Sequence, residues 1–424
     1  MNWSCGAYIA GQAFSTLADS ALLFAMLDLM RISGAPTWQL AALLAVHAIP
    51  FVVLAPFVSH FSAMVPRNWL LLLINSIKFF AVVALVSLSP LLCYAGVGMA
   101  AVIQSSARYG MVIELVAPTQ YVRFHRWVEG TTIVSVIVGV LLGGLLLSDL
   151  VGPLLLSIGL PTVFATNSVA AFAVIAALYL GSMLCNLALP RIEPRSTGLR
   201  PATDQVREFS RHNARLWGDK LGQIALATTA VFWGVAVNLR YIVSSAPTSV
   251  AGYTALQASL LVFALALGTA VGSVYASLRA RLDQATAVVP LGIVMGGVLL
   301  SISVGTSIAW FLALGLALFG ACGGYLVVAM SGLLRHRGSH LMDPSQWIEV
   351  QNFNEQACAL GLAGLLMGMS RFGVSGPLSI GVSGGLMAVL MWLISRWQAR
   401  NSVRHRAEID HLLAIARFED VGNQ

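Results

Sequence analysis

Several long apolar stretches of this sequence are interrupted by a single ionic side chain. Asp19 lies in FSTLADSALLFAM, Lys78 in INSIKFF, Arg108 in ARYGMVIELV and Arg240 in VFWGVAVNLRYI. A charge at the centre of a lipid bilayer costs about 2.5–3.5 kcal/mol on insertion scales, so such residues pair with one another or line a polar cavity. We therefore expect these four side chains to face an internal cavity or each other, and a functional role is the favoured interpretation.

Four glutamates also fall within apolar stretches. Glu114, Glu129 and Glu349 lie near the ends of their stretches, where water is close and a charge costs little. For these three, a solvated helix end or a structural ion pair explains the residue as well as a functional role does. Glu355 has Gln351 and Asn352 one turn before it, and their amides either bond across helices or contact a ligand.

These charges must be positioned by helices that cross a membrane. The 424-residue chain is 58% hydrophobic and 10% charged, with a mean hydropathy of +0.83. Soluble domains carry roughly 25% charged residues, whereas apolar runs of about 18 or more residues are candidate membrane spans. Twelve such runs occur, at about 6–31, 38–60, 69–89, 91–115, 122–148, 162–189, 218–244, 249–279, 286–304, 306–334, 346–371 and 376–397. The predicted fold class is an all-α membrane protein with twelve transmembrane helices in two six-helix bundles.

The basic residues predict the orientation. With both termini in the cytoplasm, the cytoplasmic loops and tail hold nineteen of the 24 Lys and Arg, and the opposite side holds only Arg31 and Arg371. This bias is the positive-inside rule. It accounts for the formal charge of +7 and the pI near 9.4, so no nucleic-acid partner is expected.

The charged, proline-containing segment 190–217 separates the two halves and predicts a cytoplasmic linker. The predicted domains are an N-terminal six-helix bundle (1–189) and a C-terminal six-helix bundle (218–397). Residues 398–424 form a cytoplasmic tail, in which apolar side chains at helical spacing predict a short amphipathic helix. Two six-span halves are typical of parallel-repeat transporters.

Glycine pairs spaced four residues apart recur along the predicted spans and let helix backbones approach closely in lipid. One pair follows Glu129 and another follows Glu355 at nearly the same distance, which supports an internal repeat. The four pairs are Gly139/Gly143, Gly268/Gly272, Gly292/Gly296 and Gly364/Gly368.

Asp19 and Arg240 lie on the first span of their respective halves, and a bridge between them would cross the gap that alternating access opens and closes. Their depths along the two helices differ by roughly 10 Å at about 1.5 Å per residue, a gap that a long arginine partly closes. The bridge is a hypothesis.

The chain resembles the bacterial lysophospholipid transporters of the major facilitator superfamily, from about residue 9 to residue 395. Seven segments in the same order carry the resemblance: FSTLADSALLFA, LAPFV, INSIKFF, ARYGMVIELV, VFWGVAVNLRYI, GGYLVVAMSGLLRHRG and VQNFNEQA. The resemblance implies a flippase that moves lysophosphatidylethanolamine and related lysolipids from the outer to the inner leaflet of the bacterial inner membrane, without ion coupling. It also implies a cytoplasmic acyltransferase/acyl-ACP synthetase partner that re-acylates the lipid, and functional roles for Asp19, Arg108 and Arg240.

The chain departs from the family pattern in three segments. The family usually has Gly-Asp-Asn around the first acid, where this chain has Ala18 and Ser20, and lysine where this chain has Arg108. Because arginine grips phosphate with two hydrogen bonds and lysine acts as a point charge, headgroup preference stays open. The loop VSHFSAMVPRN has Ser59 and Ala63 where the superfamily's Gly and Asp usually stand, so no conformational latch is inferred there.

The chemistry of a lysophospholipid matches the ionic residues. A phosphate needs a cation, for which Arg240, Arg108 and Lys78 are candidates. An ammonium needs an anion or an aromatic face. The candidates for that contact are Asp19, Glu129, Glu355, Trp233 and Tyr241, and the two aromatic residues are otherwise interpreted as packing or interfacial side chains.

Other function classes find little support. GVSGG (381–385) matches the G-x-S-x-G nucleophile pattern but lies inside an apolar span, not on a strand-to-helix turn. No P-loop or cluster of metal-ligating residues occurs, so we expect neither an enzyme nor a cofactor or metal. The alternatives that remain are a proton-coupled exporter of drugs or other amphiphiles and a non-transporting scaffold for lipid enzymes.

Overall fold

The computed structural model describes residues 3–116, 120–148, 157, 167–191, 201–245, 253–409 and 411–412. Within these ranges the chain is built from long α-helices and contains no β-strand. Such a structure satisfies backbone N–H and C=O groups within each segment, as a hydrocarbon environment requires.

The first half contains six helices that follow the first six predicted spans. They are α1 (Trp3–Ile32), α2 (Thr37–Met64), α3 (Arg67–Val83), α4 (Pro90–Leu115), α5 (Tyr121–Leu146) and α6 (Asn167–Leu187).

The second half contains seven helices, the first of which lies in the predicted linker. They are α7 (Ala202–Gly218), α8 (Gly222–Ser244), α9 (Ala255–Arg279), α10 (Leu291–Val304), α11 (Ala309–Leu341), α12 (Pro344–Arg371) and α13 (Gly376–Arg404).

Each of the twelve predicted spans falls on one of these helices. Helix α7 is the additional helix, and it lies in the predicted linker. In the described part of the chain, ten spans are long and apolar enough to cross a membrane. The other two are α3, which has 17 residues, and α12, which carries Glu349 and Glu355. The protein is therefore an all-α, multi-pass membrane protein.

Two predicted boundaries differ from the structure. The ninth span was expected to be one helix over 286–304, but a 3₁₀ segment (Leu282–Val288) precedes α10. Pro290 stands between them, and proline lacks the N–H that a continuous helix needs. The last helix continues to Arg404, past the predicted end at 397, so the start of the predicted tail belongs to α13. Residues 413–424, which hold the end of the predicted amphipathic helix, lie outside the described residues.

The chain divides into two compact units. The first consists of Met1–Gln205 and Val243–Phe263, and the second of Val206–Ile242 and Ala264–Gln424. In the first unit, α1 packs against α5 and α6, α2 packs against α4, and α3 packs against α4 and α6. In the second unit, α10 packs against α11 and α13.

Three of the four predicted glycine pairs lie where helices touch. Gly139 and Gly143 of α5 lie against the backbone of α1, and the corresponding pairs on α9 and α10 lie against α11 and α13. The pair Gly364/Gly368 does not serve this purpose: an added methyl group at either residue would meet no described atom within 4 Å. The pair has the four-residue spacing but does not pack against a described helix. Spacing alone does not show which side of the helix a glycine occupies.

Helix α7 docks on α12 and α13 through one face. The ring of Phe209 meets Phe353 edge-on at 5.2 Å, and Trp217 stacks on Trp397 at 6.3 Å. The indole of Trp217 also donates to Asn354 Oδ1 at 3.1 Å. The predicted linker segment therefore contains a helix fastened to the second unit.

Candidate functional site

A buried ion pair lies at the centre of the first unit. The ammonium of Lys78, on α3, donates to Asp19 Oδ2 on α1 at 2.6 Å. The other carboxylate oxygen of Asp19 accepts a hydrogen bond of 2.6 Å from the hydroxyl of Tyr179 on α6. The Lys78 side chain is 0% exposed and that of Asp19 is 33% exposed, so the carboxylate is the accessible part of the pair.

Further polar side chains complete the surroundings of Lys78. Its ammonium also donates to Gln104 Oε1 on α4 at 2.5 Å and to Ser15 Oγ at 3.4 Å. The amide of Gln104 continues the chain to Gln12 Oε1 at 3.2 Å. An ammonium has three N–H donors, and three acceptors surround this one. Lys78 therefore compensates the charge of Asp19 from inside the bundle, and its expected contact with a ligand stays a prediction.

A second ion pair joins α4 to α5 in the same unit. Arg108 donates to Glu129 Oε1 at 3.1 Å and to the hydroxyl of Thr132 at 2.7 Å. The side chains are 20% and 41% exposed, so both ions reach solvent. Arg108 is thus held in one orientation by Glu129 and Thr132. Among the predicted cations of this unit, it is the accessible one.

The second unit holds Glu355 in a polar pocket of its own. Gln351 donates to Glu355 Oε1 at 2.7 Å from one turn earlier on α12. Thr229 of α8 makes a further hydrogen bond to the carboxylate, which is buried. Asn352 on the same helix is half-buried. The amide of Asn238 donates to the carbonyl of Ala359 at 3.2 Å and so joins α8 to α12.

The remaining predicted residues share α8. Trp233 and Arg240 are seven residues apart and therefore lie on the same side of the helix. Trp233 is 38% exposed, Arg240 is half-buried, and Tyr241 is buried. The burial of Tyr241 matches the packing interpretation of this residue, whereas Trp233 and Arg240 are accessible. The bridge between Asp19 and Arg240 stays a hypothesis.

Two acid–base pairs join helices near their ends. Arg67, the first residue of α3, lies 2.8 Å from Glu114 near the end of α4, and its guanidinium packs over Gly110. In the second unit, Arg337 of α11 binds Asp219 with both ions nearly buried. Asp219 also accepts from the backbone N–H of Gly222 at 2.7 Å and so caps the start of α8. Glu114 is therefore a structural partner, one of the two interpretations that the sequence left open.

Burial shifts the pKa of a histidine on α7, outside the membrane-spanning helices. His212 lies on the docked face of α7, and desolvation there lowers the pKa of its imidazole below the ordinary value of 6.5. The neutral imidazole thus fits the packed helix, because burial disfavours the charged form.

Several members of these clusters are absent from the predicted site. Gln104 and Tyr179 support Asp19 and Lys78, and Thr132 supports Arg108. The signal that points to them is a polar side chain inside an apolar stretch, because a polar group buried in lipid needs a partner. The hydroxyl and amide residues of these spans are too numerous for that signal alone to select these three.

The comparisons with known proteins agree with this architecture. No protein-family model matches the chain. Curated relatives include the lysophospholipid transporters LplT of Yersinia pestis (strain Pestoides F) and Yersinia pseudotuberculosis serotype O:3 (strain YPIII). Each is 29% identical over 363 residues, which is 85% of this chain and 85% of the relative.

Solved structures with the same fold are also transporters. A crystal structure of the nucleoside transporter NupG superposes with a TM-score of 0.62 at 13% identity, over 94% of this chain and 99% of that one. A bacterial homologue of the human lysosomal transporter Spinster superposes with a TM-score of 0.55 at 13% identity, over 98% of this chain and 96% of that one. At these identities the likeness concerns the fold. The resemblance seen in the sequence is confirmed: this chain is similar to the bacterial lysophospholipid transporters over most of its length, and it shares the fold of the NupG and Spinster-type transporters.

Proposed function

We propose that this protein is a lysophospholipid transporter. The observation that carries the proposal is the similarity of 85% of the chain to proteins named lysophospholipid transporters. The accessible ions inside the helical units suit the same cargo, because a lysophospholipid combines a phosphate, often an ammonium, and one acyl chain. A charged side chain inside a membrane span is costly to insert, and such residues therefore commonly mark substrate pathways.

Each unit offers its own ions for the headgroup. Arg108 in the first unit and Arg240 in the second are the candidates for the phosphate, since a guanidinium offers two parallel donors to phosphate oxygens. Asp19, Glu129 and Glu355 supply negative charge for the ammonium, and Trp233 supplies an aromatic face. Lys78 holds Asp19 in place, and Gln351 does the same for Glu355. The acyl chain needs only the apolar walls of the helices.

The finer features of the proposal follow from the resemblance and the distribution of arginine. The protein lies in the bacterial inner membrane with both termini in the cytoplasm, as the positive-inside rule requires. It moves lysophosphatidylethanolamine and related lysolipids from the outer to the inner leaflet by alternating access, without ion coupling. A cytoplasmic acyltransferase/acyl-ACP synthetase re-acylates the delivered lipid.

Uptake into reconstituted vesicles tests the proposal. Vesicles with the protein should accumulate labelled lysophosphatidylethanolamine on the inner leaflet faster than vesicles without it, and the rate should survive an uncoupler. Arg108→Gln should reduce uptake, because a neutral amide does not grip the phosphate. Uptake that collapses with the uncoupler would favour the proton-coupled exporter. No uptake by the unmodified protein would contradict transport of this lipid altogether.

A further inference from the structure

The end of α1 opposite the arginine-rich loops carries an ion pair that none of the predicted sites includes. Asp28 and Arg31 are one turn apart, and the guanidinium donates to Asp28 Oδ1 at 2.6 Å. The other oxygen of Asp28 accepts a hydrogen bond of 2.5 Å from the hydroxyl of Ser168 on α6, which is buried. With both oxygens occupied and only 11% of its side chain exposed, Asp28 is a fixed anchor for Arg31.

Arg31 itself remains open to its surroundings. Its side chain is 49% exposed. A guanidinium has five N–H donors, and within the described residues the recorded partner of Arg31 is Asp28. The remaining donors of an oriented arginine are therefore available to an anion. The net charge of the pair is zero, which suits a singly charged phosphodiester better than a free phosphate dianion.

An open cleft adjoins this ion pair. All of its lining residues belong to the first unit. The apolar wall comes from α1, α2 and the end of α5, through Phe24, Leu27, Leu40 and Leu147. Ser244 and Ser245 add hydroxyl groups. The cleft therefore places an apolar wall and hydroxyl groups beside the guanidinium of Arg31, which matches a phosphate that is followed by methylene groups.

We propose that this cleft is a docking subsite where the phosphate of a single-chain phospholipid first binds on the outer side of the membrane. The guanidinium of Arg31, oriented by Asp28 and Ser168, takes the phosphate, and the apolar wall takes the start of the acyl chain. The inference rests on the proposed function and orientation. It adds a site at Arg31, about three helical turns beyond Asp19 on the same helix at about 3.6 residues per turn.

The alternative, purely structural role of Arg31 is to stabilise the C-terminal end of its helix as a cation. Arg371 supplies a matched control, because it is also exposed, also lies in the last turn of its helix, and falls on the same side in the proposed topology. Only Arg31 is bound to a buried acid beside the cleft. A helix-end role predicts equal effects for the two residues, whereas a docking role predicts an effect of Arg31 alone.

The test compares uptake of labelled lysophosphatidylethanolamine by the unmodified protein, Arg31→Gln and Arg371→Gln in vesicles supplied with lipid from outside. We expect Arg31→Gln to raise KM by about fivefold to tenfold with kcat within about twofold, as loss of a charge-assisted hydrogen bond at a half-exposed site predicts. Arg371→Gln should match the unmodified protein, and Arg31→Lys should recover part of the loss.

Competition identifies the source of the phosphate. A short-chain lysophospholipid should compete with the labelled lipid through Arg31, whereas inorganic phosphate should not. Competition by inorganic phosphate that disappears in Arg31→Gln would mean a free-anion site and overturn the lipid assignment.

An unchanged KM in Arg31→Gln, or an equal rise in Arg371→Gln, would overturn the subsite while the proposed function stands. If the unmodified protein shows no uptake of the labelled lipid, both the proposed function and this inference are contradicted. If Arg31→Gln fails to fold, Arg31→Lys and Ser168→Ala carry the same comparison, and an unchanged KM in both would overturn the subsite.

Discussion

Lys78 and Asp19 form one ion pair but differ in their access to water. Lys78 is 0% exposed and Asp19 is 33% exposed. An uncompensated charge costs far more where water cannot reach it. Removing the charge of Asp19 therefore destabilises the protein more, because it leaves the fully buried ammonium of Lys78 without a counter-ion. Removing the charge of Lys78 leaves a carboxylate that reaches solvent.

This asymmetry predicts unequal stabilities for the two single variants. Asp19→Asn leaves a buried ammonium without its anion and should cost about 3 kcal/mol. Lys78→Met leaves an acid that is partly hydrated and should cost on the order of 1 kcal/mol. The double variant removes both charges and should be more stable than Asp19→Asn alone. Thermal unfolding in detergent measures all three, and equal losses in the two single variants would contradict the burial argument.

The partners of each charged side chain depend on how its helix is rotated about its own axis. In helices that are apolar on all sides, the sequence does not show this rotation. The sequence predicts Asp19, Lys78, Arg108 and Glu129 as important, because charges in apolar stretches are conspicuous. It does not predict that Lys78 turns inward to Asp19 whereas Arg108 turns to Glu129. An amphipathic helix shows its buried face in its periodicity, but a membrane helix surrounded by lipid and protein lacks that signal.

At the scale of helices, α3 and α4 are joined by an arginine that needs a glycine. The guanidinium of Arg67 lies against Gly110, in the space where a side chain would start, and pairs with Glu114 one turn further along α4. Any Cβ at this position would displace the arginine from its acid. The contact thus explains the glycine in ARYGMVIELV without any role in binding cargo.

Gly110→Ala should destabilise the protein by about 1 kcal/mol, because the added methyl pushes the flexible end of Arg67 aside and weakens its ion pair with Glu114. Gly96→Ala on the same helix is the matched control, because its added methyl would meet only the methyl of Ala81 at an ordinary 3.9 Å. That control should be neutral or slightly stabilising, since alanine favours helices over glycine. Thermal unfolding in detergent gives the comparison. In an Arg67→Ala background the cost of Gly110→Ala should largely vanish, and a full cost there would contradict the proposed clash.

The element that the sequence identifies least well is α7. Its segment is charged and contains prolines before it, which predicts a linker, and the helix appears only because its apolar face meets Phe353 and Trp397. The face does show helical periodicity, through Phe209, His212, Leu216 and Trp217. A charged linker is expected to be solvated, so this periodicity alone does not distinguish a free amphipathic helix from a docked one.

For the whole molecule, hydropathy is sufficient to predict the membrane class and the arrangement in six and six spans. The cost of an unsatisfied backbone group in lipid leaves helices as the form that a long apolar run adopts. The two weaker spans, α3 and α12, are the ones where polar residues and length work against the apolar signal. Function at this scale comes from similarity to named transporters, because the fold alone is shared with a nucleoside transporter.

Orientation is the property of the whole molecule on which both proposals depend, and accessible cysteines can test it. With both termini cytoplasmic, the loop after α10 faces outward and α7 faces the cytoplasm. Ser307→Cys should therefore react with an impermeant maleimide in intact cells, whereas Ser210→Cys should react only after permeabilisation. Both positions are exposed in the structure. The unmodified chain, whose five cysteines are buried or half-buried, gives the background. The opposite labelling pattern would place Arg31 on the cytoplasmic side and leave the outer docking subsite without a basis.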